Sequence, residues 1–227
     1  MTIRGLITSL SAGLALAYAS NVDGQVVVTK KARPAKTIVI DAGHGMGNRR
    51  SGVYDPGAVR EGISESDMNL AYAFETGKRL SEKGFNVLHT RLDNSTETPL
   101  SQRAYQANNA NADLFLSIHM NAVENTGARG PIVYYQNGST TGSNLAERVS
   151  GELNSLTNSI QGYAVNSNPV RSNNYAVLRD SKSPAVLIET GFMSNPSELR
   201  ILTQNYKQIS EGIAKAVDDY LSNEVRR

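Results

Sequence analysis

Apolar and polar positions along the middle of this chain follow two alternating rhythms. Thr37-Ile38-Val39-Ile40 is a continuous, β-branched run, the pattern of a strand covered on both faces. Over residues 64–83 the pattern turns helical, with Leu70, Ala73, Phe74, Gly77 and Leu80 on one stripe. Ser64 and Asp67 stand at capping spacing before that stripe, and Gly84 stands where a left-handed residue ends a helix. The same reasoning predicts strands over 85–90, 114–119, 131–136, 175–178 and 185–189. It predicts helices over 101–111, 143–158 and about 205–221, the last with Ile209, Ile213, Ala216, Val217 and Tyr220 turned inward. Strands that alternate with crossover helices make an α/β fold. The expectation is a single domain with a doubly wound, mostly parallel sheet of about six strands flanked by helices.

The first 36 residues follow another pattern. Arg4 precedes a modestly apolar run over 5–16, and Ala17-Tyr18-Ala19 then offers small residues at the spacing signal peptidase needs. A transmembrane helix needs about 20 apolar residues; this run is shorter and is diluted by Thr8, Ser9, Ser11 and Gly13. Residues 1–19 are therefore expected to be a signal peptide, 20–36 a linker containing Pro34, and 37–223 the folded domain. An exported protein follows, in the periplasm or the extracellular cell wall, with no stable membrane insertion after the leader is cut.

Charge and composition remove several classes. Lys plus Arg number 23 against 21 Asp plus Glu, a net +2, with no basic run longer than pairs such as Lys30-Lys31. A nucleic-acid surface would carry a denser cationic stripe. There is no cysteine, which excludes disulfides, thiolate nucleophiles and Cys-ligated zinc.

In open α/β sheets, ligands gather beyond the carboxyl ends of the strands. His44 follows the first predicted strand, His119 ends the third, and Glu189 ends the last. Glu65 opens the first long helix, whose preceding loop crosses the same rim. Two imidazoles and a carboxylate are a common ligand set for a catalytic zinc that keeps a position for water. A further carboxylate beside that water can take its proton. Plainer roles are open too. A strand-end His can be a hydrogen-bonded structural residue, and Glu65 can serve the positive end of its helix. Glu189 follows an apolar run and would be buried unless something pairs it. Glu61, in the loop over 57–62, rivals Glu65 as third ligand, and periodicity does not choose between them. His89 has no evident carboxylate partner and reads as structural.

From Thr37 to about Leu221 the chain resembles the zinc-dependent N-acetylmuramoyl-L-alanine amidases of the type 3 family. The resemblance rests on IDAGHG (40–45), DPGA (55–58), ESDMNL (65–70), TR (90–91) and LSQR (100–103), with ANADLFLSIHMNA (110–122) and PAVLIETGFMSNPSE (184–198). It implies one Zn2+ per chain held by His44, Glu65 and His119, choosing Glu65 over Glu61, with Glu189 as general base. It implies a peptidoglycan substrate, cut between the lactyl group of N-acetylmuramic acid and L-Ala. Ala42 and Thr190 depart from the usual family residues, and neither side chain is expected to touch the chemistry. The short segment from His119 to Glu189 leaves no room for the helix that covers the zinc in some members. A monomer is expected, and any protein activator is unidentified. Two other classes fit the fold. One is a non-catalytic wall-binding or regulatory module, which would lack a ligand or the base. The other is a zinc carboxypeptidase-like peptidase, which would need an Arg in its cleft, with Arg171 and Arg179 as candidates.

Overall fold

The structure, a computed structural model, describes residues 17–22, 25–30 and 35–224. Residues 1–16 of the expected leader lie outside the described residues. Across the expected leader end and linker, β1 (Ala17–Val22) and β2 (Gln25–Lys30) pair as an antiparallel ribbon. The domain then runs through β3 (Thr37–Ala42), β4 (Gly45–Met46), β5 (Tyr54–Asp55), β6 (Val59–Arg60), β7 (Ile63–Ser64) and α1 (Glu65–Glu82). After these come β8 (Asn86–His89), α2 (Leu100–Asn109), β9 (Leu114–Asn121), β10 (Ile132–Gln136) and α3 (Thr140–Ser155). The chain closes with β11 (Val170–Asn173), α4 (Ala176–Arg179), β12 (Ala185–Phe192), α5 (Pro196–Gln204) and α6 (Tyr206–Glu224).

Six strands form the main sheet in the order β11-β10-β12-β9-β3-β8. Every neighbouring pair is parallel except β10 with β12. The chain leaves β3 for β8 on one side and returns to β9 on the other, so the order reverses at β3. A crevice opens at such a switch point.

Alternation along the strands assigns the two faces. Ile38 and Ile40 of β3, Leu116 and Ile118 of β9, and Val186 and Ile188 of β12 pack into one core with Leu80, Val149, Ile213 and Val217 from α1, α3 and α6. The intervening positions Val39, Phe115 and Leu187 meet Ala107 of α2 and Val177 of α4 on the opposite face. The period of two thus sends Asp41, Ser117, His119 and Glu189 to the α2–α4 face, at the carboxyl ends of adjacent strands. Ser64 caps α1 as expected, its Oγ accepting from the Asp67 amide at 3.2 Å.

Several elements differ from the sequence-based pattern. Tyr175-Ala176-Val177-Leu178 was expected as a strand; it is the start of α4, with the Leu178 and Arg179 amides donating to the Tyr175 carbonyl at 3.0 and 2.8 Å. A four-residue apolar run does not distinguish a strand from one buried helical turn. The sixth strand is instead β11, which is short and polar and takes its hydrogen bonds from β10. The helix α5 has no counterpart in the expected pattern. Asn195 caps it, with Oδ1 accepting from the Ser197 and Glu198 amides, and Pro196 occupies its first turn. The buried Glu198 carboxylate accepts from the Gly130 and Phe192 amides at 2.7 and 2.8 Å, which ties the end of β12 to the start of β10. Among the described residues no helix is long and apolar enough to cross a membrane.

Beneath the crevice lies a buried ion pair, Arg103 Nη1 to Asp41 Oδ1 at 2.7 Å, with both side chains about 1% exposed. Burial pushes the Asp41 carboxyl up, but the Arg103 charge and hydrogen bonds from Thr90 and Ser117 outweigh it and hold the pKa below 3.8. A carboxyl with a depressed folded-state pKa stabilises fully above its unfolded value and loses that contribution as pH falls through the folded one. Asp41→Asn should therefore lower the unfolding free energy by roughly 3–5 kcal/mol at neutral pH. Urea titrations should show that difference shrinking between about pH 4 and pH 2.

Candidate active site

Two buried guanidinium groups set the position of His44. Arg91 donates from Nε to the Ala42 carbonyl at 2.8 Å and from Nη2 to the carbonyls of Gly43 and Ser66 at 2.9 and 2.8 Å. Arg103 reaches the Ala42 carbonyl at 2.8 Å, the His44 carbonyl at 2.6 Å and the Thr98 carbonyl at 3.0 Å. His44 adopts a left-handed φ of 63°, a conformation that costs about 1 kcal/mol or more in a non-glycine residue. Hydrogen bonds from charged donors are each worth about 1.5–3 kcal/mol, enough to hold it. Among the described residues, no carboxylate lies within ion-pair distance of Arg91. Burial, then the neighbouring Arg103 charge, lower its pKa to about 10, so it stays charged at neutral pH.

Glu65 opens α1 and is 5% exposed. Its Oε1 lies 3.0 Å from His44 Nε2 and 3.0 Å from His119 Nδ1. The Met120 amide and Asn69 Nδ2 approach the same oxygen at 3.3 Å, and Oε2 accepts from the Ala58 amide at 3.1 Å. Burial raises the Glu65 pKa, but the two imidazoles more than offset it and hold the group ionised. Asn69 lies one helical turn after Glu65 and also donates to the Gly43 carbonyl at 3.3 Å, joining the helix to the His44 turn.

On its far side, His44 Nδ1 meets Asp55 Oδ2 at 3.1 Å. Asn48 Nδ2 donates to that oxygen at 2.7 Å, and the Gly57 amide donates to Oδ1 at 2.9 Å. Burial raises the Asp55 pKa, yet these hydrogen bonds bring it down to about 2. An ionised Asp55 accepts a hydrogen bond from Nδ1–H and so orients the ring with Nε2 toward Glu65. Nothing in the sequence marked Asp55 beyond its place in DPGA. The available signal is that it is the first carboxylate after His44 in the loop before Glu65.

His119 and Glu189 are register partners on β9 and β12. Glu189 Oε2 is buried without a hydrogen-bond partner. Burial, then the Glu65 charge, push the Glu189 pKa well above 4.5. The expected pairing partner for this carboxylate is therefore absent from the described side chains. Thr190, expected to stand clear of the site, donates to the His119 carbonyl at 3.3 Å.

Ligand atoms of His44, Glu65 and His119 all lie within 4.8 Å of one another. Donors about 2.1 Å from a tetrahedral zinc lie about 3.4 Å apart, so this spacing accommodates the ion. Two glycines make the room: a Cβ on Gly43 would stand 2.2 Å from His119 Nε2, and one on Gly57 would stand 2.5 Å from Glu65 Oε2. The fold does not bring Glu61 to this group; it sits exposed in the β6–β7 turn, with φ 51°. His89 is half-buried against the Phe74 ring at 4.9 Å, and burial lowers its pKa, as a structural histidine requires. Arg171 is bound to Asn166 and Asn168, and Arg179 to Asp180, so neither stands over the group as a peptidase would need.

Clefts open on both sides of these residues. One of about 420 Å3 has walls of Leu100, Tyr175, Val177 and Leu187, so α4 forms its side. Another of about 410 Å3 is lined by Asp55, Gly57, Asn121 and Ala122. Both reach His44, His119 and Glu189.

Residues 38–219 match the family model described as N-acetylmuramoyl-L-alanine amidase. The chain is similar to the crystal structure of N-acetylmuramoyl-L-alanine amidase from Clostridium difficile 630, at 36% identity and TM-score 0.72, covering 83% of this chain and 97% of that one. It is similar at 30% identity and TM-score 0.72 to the CwlD amidase from Clostridioides difficile, solved in complex with the GerS lipoprotein, covering 82% and 98%. It is 32% identical over 171 residues to the N-acetylmuramoyl-L-alanine amidase LytC of Bacillus subtilis, spanning 74% of this chain and about a third (32%) of LytC. With the match extending over nearly the whole described domain, the chain belongs to the N-acetylmuramoyl-L-alanine amidases, a family of cell-wall hydrolases.

Proposed function

We propose that this protein is an exported, zinc-dependent N-acetylmuramoyl-L-alanine amidase that hydrolyses the amide between the lactyl group of N-acetylmuramic acid and L-Ala in peptidoglycan. The observation that carries this reading is one carboxylate oxygen, Glu65 Oε1, 3.0 Å from a nitrogen of each of two histidines, with the unpartnered Glu189 on the adjacent strand. His44, Glu65 and His119 would hold the ion. When bound, zinc supplies Lewis-acid chemistry, polarising a carbonyl oxygen and making water more acidic. Asp55 keeps the His44 Nδ1 protonated, so that Nε2 is free to ligate. Glu189 takes the proton of the attacking water and returns it to the departing amine of L-Ala. Its buried setting suits this, because burial raises its affinity for the proton it must hold. A non-catalytic module would lack a ligand or the base, and both are present. Whether a partner such as the lipoprotein bound by CwlD acts on this chain is open to the same assay, run with and without candidate proteins.

Glu189→Gln should keep one zinc per chain and the fold while losing roughly 10²–10⁴-fold in turnover. Mass spectrometry of digested sacculi checks this: wild type should release peptides that begin at L-Ala, and the variant should not. Near-normal release by the variant would remove Glu189 from the mechanism. Asp55→Ala should weaken zinc affinity by about 10–100-fold, as measured by competition with a chromophoric chelator, because His44 loses its orienting acceptor. Zinc affinity should also fall in mild acid. Burial lowers the His44 pKa, but Glu65 and Asp55 raise it above 6.5 overall. Protons therefore compete with the metal from about pH 7 downward. A dissociation constant unchanged between pH 8 and 5.5 would contradict His44 as a ligand.

A further inference from the structure

We infer that Arg49 recognises a free carboxylate on the stem-peptide residue that follows L-Ala, and so sets which peptidoglycan this enzyme prefers. The inference rests on the amidase reading and adds to it a substrate feature and the residue that reads it.

Three clefts converge on the metal-ligand group and its flank. Beyond the two already described, a third of about 510 Å3 runs between Ser51, Ser101 and Arg179. Arg49 lines all three. Arg103 and Arg179 are the other cationic side chains on these walls, and their guanidinium groups are committed. Arg103 is buried and spends both terminal nitrogens on Asp41 and on the carbonyls of Ala42, His44 and Thr98. Arg179 forms a two-point pair with Asp180, at 2.7 and 2.8 Å. Arg49 touches Asp55 through Nε alone, at 3.2 Å, and its side chain is 77% exposed. Its two terminal nitrogens have no protein acceptor among the described residues.

The backbone beneath Arg49 is fixed although the side chain is free. Asn48 gives its side-chain amide to Asp55, and its carbonyl accepts from the Leu100 amide at 3.0 Å. The Gly47 amide closes the loop onto the Val53 carbonyl at 3.0 Å. A single-point pair between the exposed Arg49 and Asp55 is weak, so it aims the guanidinium more than it neutralises it. A planar fork with two free donors matches a carboxylate in two-point geometry, which a carboxamide cannot reproduce. The proposed substrate is neutral on its sugar side of the scissile amide. Its carboxylates lie on the peptide side of that amide, and Arg49 is the cation on the cleft walls with donors left to meet one.

Two synthetic muramyl peptides test this, identical except that the residue after L-Ala carries a free carboxylate in one and a carboxamide in the other. Zinc-loaded full-length wild type should cleave the acid with a kcat/KM about tenfold above the amide, expressed mainly in KM. Arg49→Gln should bring the ratio near one by losing rate on the acid while keeping its rate on the amide and its zinc content. Arg49→Lys should restore only part of the preference, because it lacks the fork. The same preference should appear as binding affinity in a Glu189→Gln background, where turnover does not intervene. A preference that survives in Arg49→Gln, or that is missing from wild type, overturns the assignment while leaving the amidase reading intact. Failure of wild type to cut either compound overturns both.

Discussion

The site depends on two buried cations that hold the polypeptide by its carbonyl oxygens. Arg91 and Arg103 between them bind the carbonyls of Ala42, Gly43 and His44, three consecutive residues at the end of β3 and the turn that follows it. That stretch must turn sharply and place a non-glycine residue at positive φ, which isolated backbone would not choose. A guanidinium suits the task because its donors are fixed in one plane and it stays charged when buried. The pair also sets the electrostatic frame. One carboxylate, Asp41, faces two guanidinium groups, and the remaining charge is spread over carbonyl dipoles rather than cancelled by a second acid.

Above this frame the carboxyl groups are driven in opposite directions by their surroundings. Glu65 and Asp55 accept several hydrogen bonds, including imidazole contacts, and are held ionised. Glu189 sits on the neighbouring strand with no donor for its buried oxygen and with the Glu65 charge nearby, and its pKa rises. Glu65 and Asp55 are thus kept charged, while Glu189 is driven toward its protonated form. Separation of acid and base roles by environment is a general route to catalysis near neutral pH. The arrangement follows from strand periodicity, because His119 and Glu189 occupy matched positions on parallel neighbours and must point to the same face.

Much of this was legible in the residues themselves. β-Branched runs with helical stripes between them are local signals, so β3, β9, β12, α1 and α6 and their alternation could be read without coordinates. The ends of those strands located His44, His119 and Glu189, the start of the first long helix located Glu65, and the family motifs chose Glu65 over Glu61. Short segments were harder, because four apolar residues carry no period long enough to separate a strand from a turn of helix. That is why residues 175–178 were expected in a sheet and lie in α4, while the polar β11 took the sheet edge.

What the sequence determined by itself was the layer architecture and the kinds of side chain available at the rim, since both follow from interactions between residues close in the chain. Only the tertiary structure decided which groups meet. Periodicity left Glu61 and Glu65 as equals, and packing placed one at the two histidines and the other in solvent. Asp55 behind His44, Arg91 across 49 residues from Ala42, and the free fork of Arg49 beside the committed forks of Arg103 and Arg179 are likewise long-range outcomes. Hydrogen bonds and ion pairs depend on ångström distances between segments far apart in sequence, and those distances exist only once the sheet has closed its two cores.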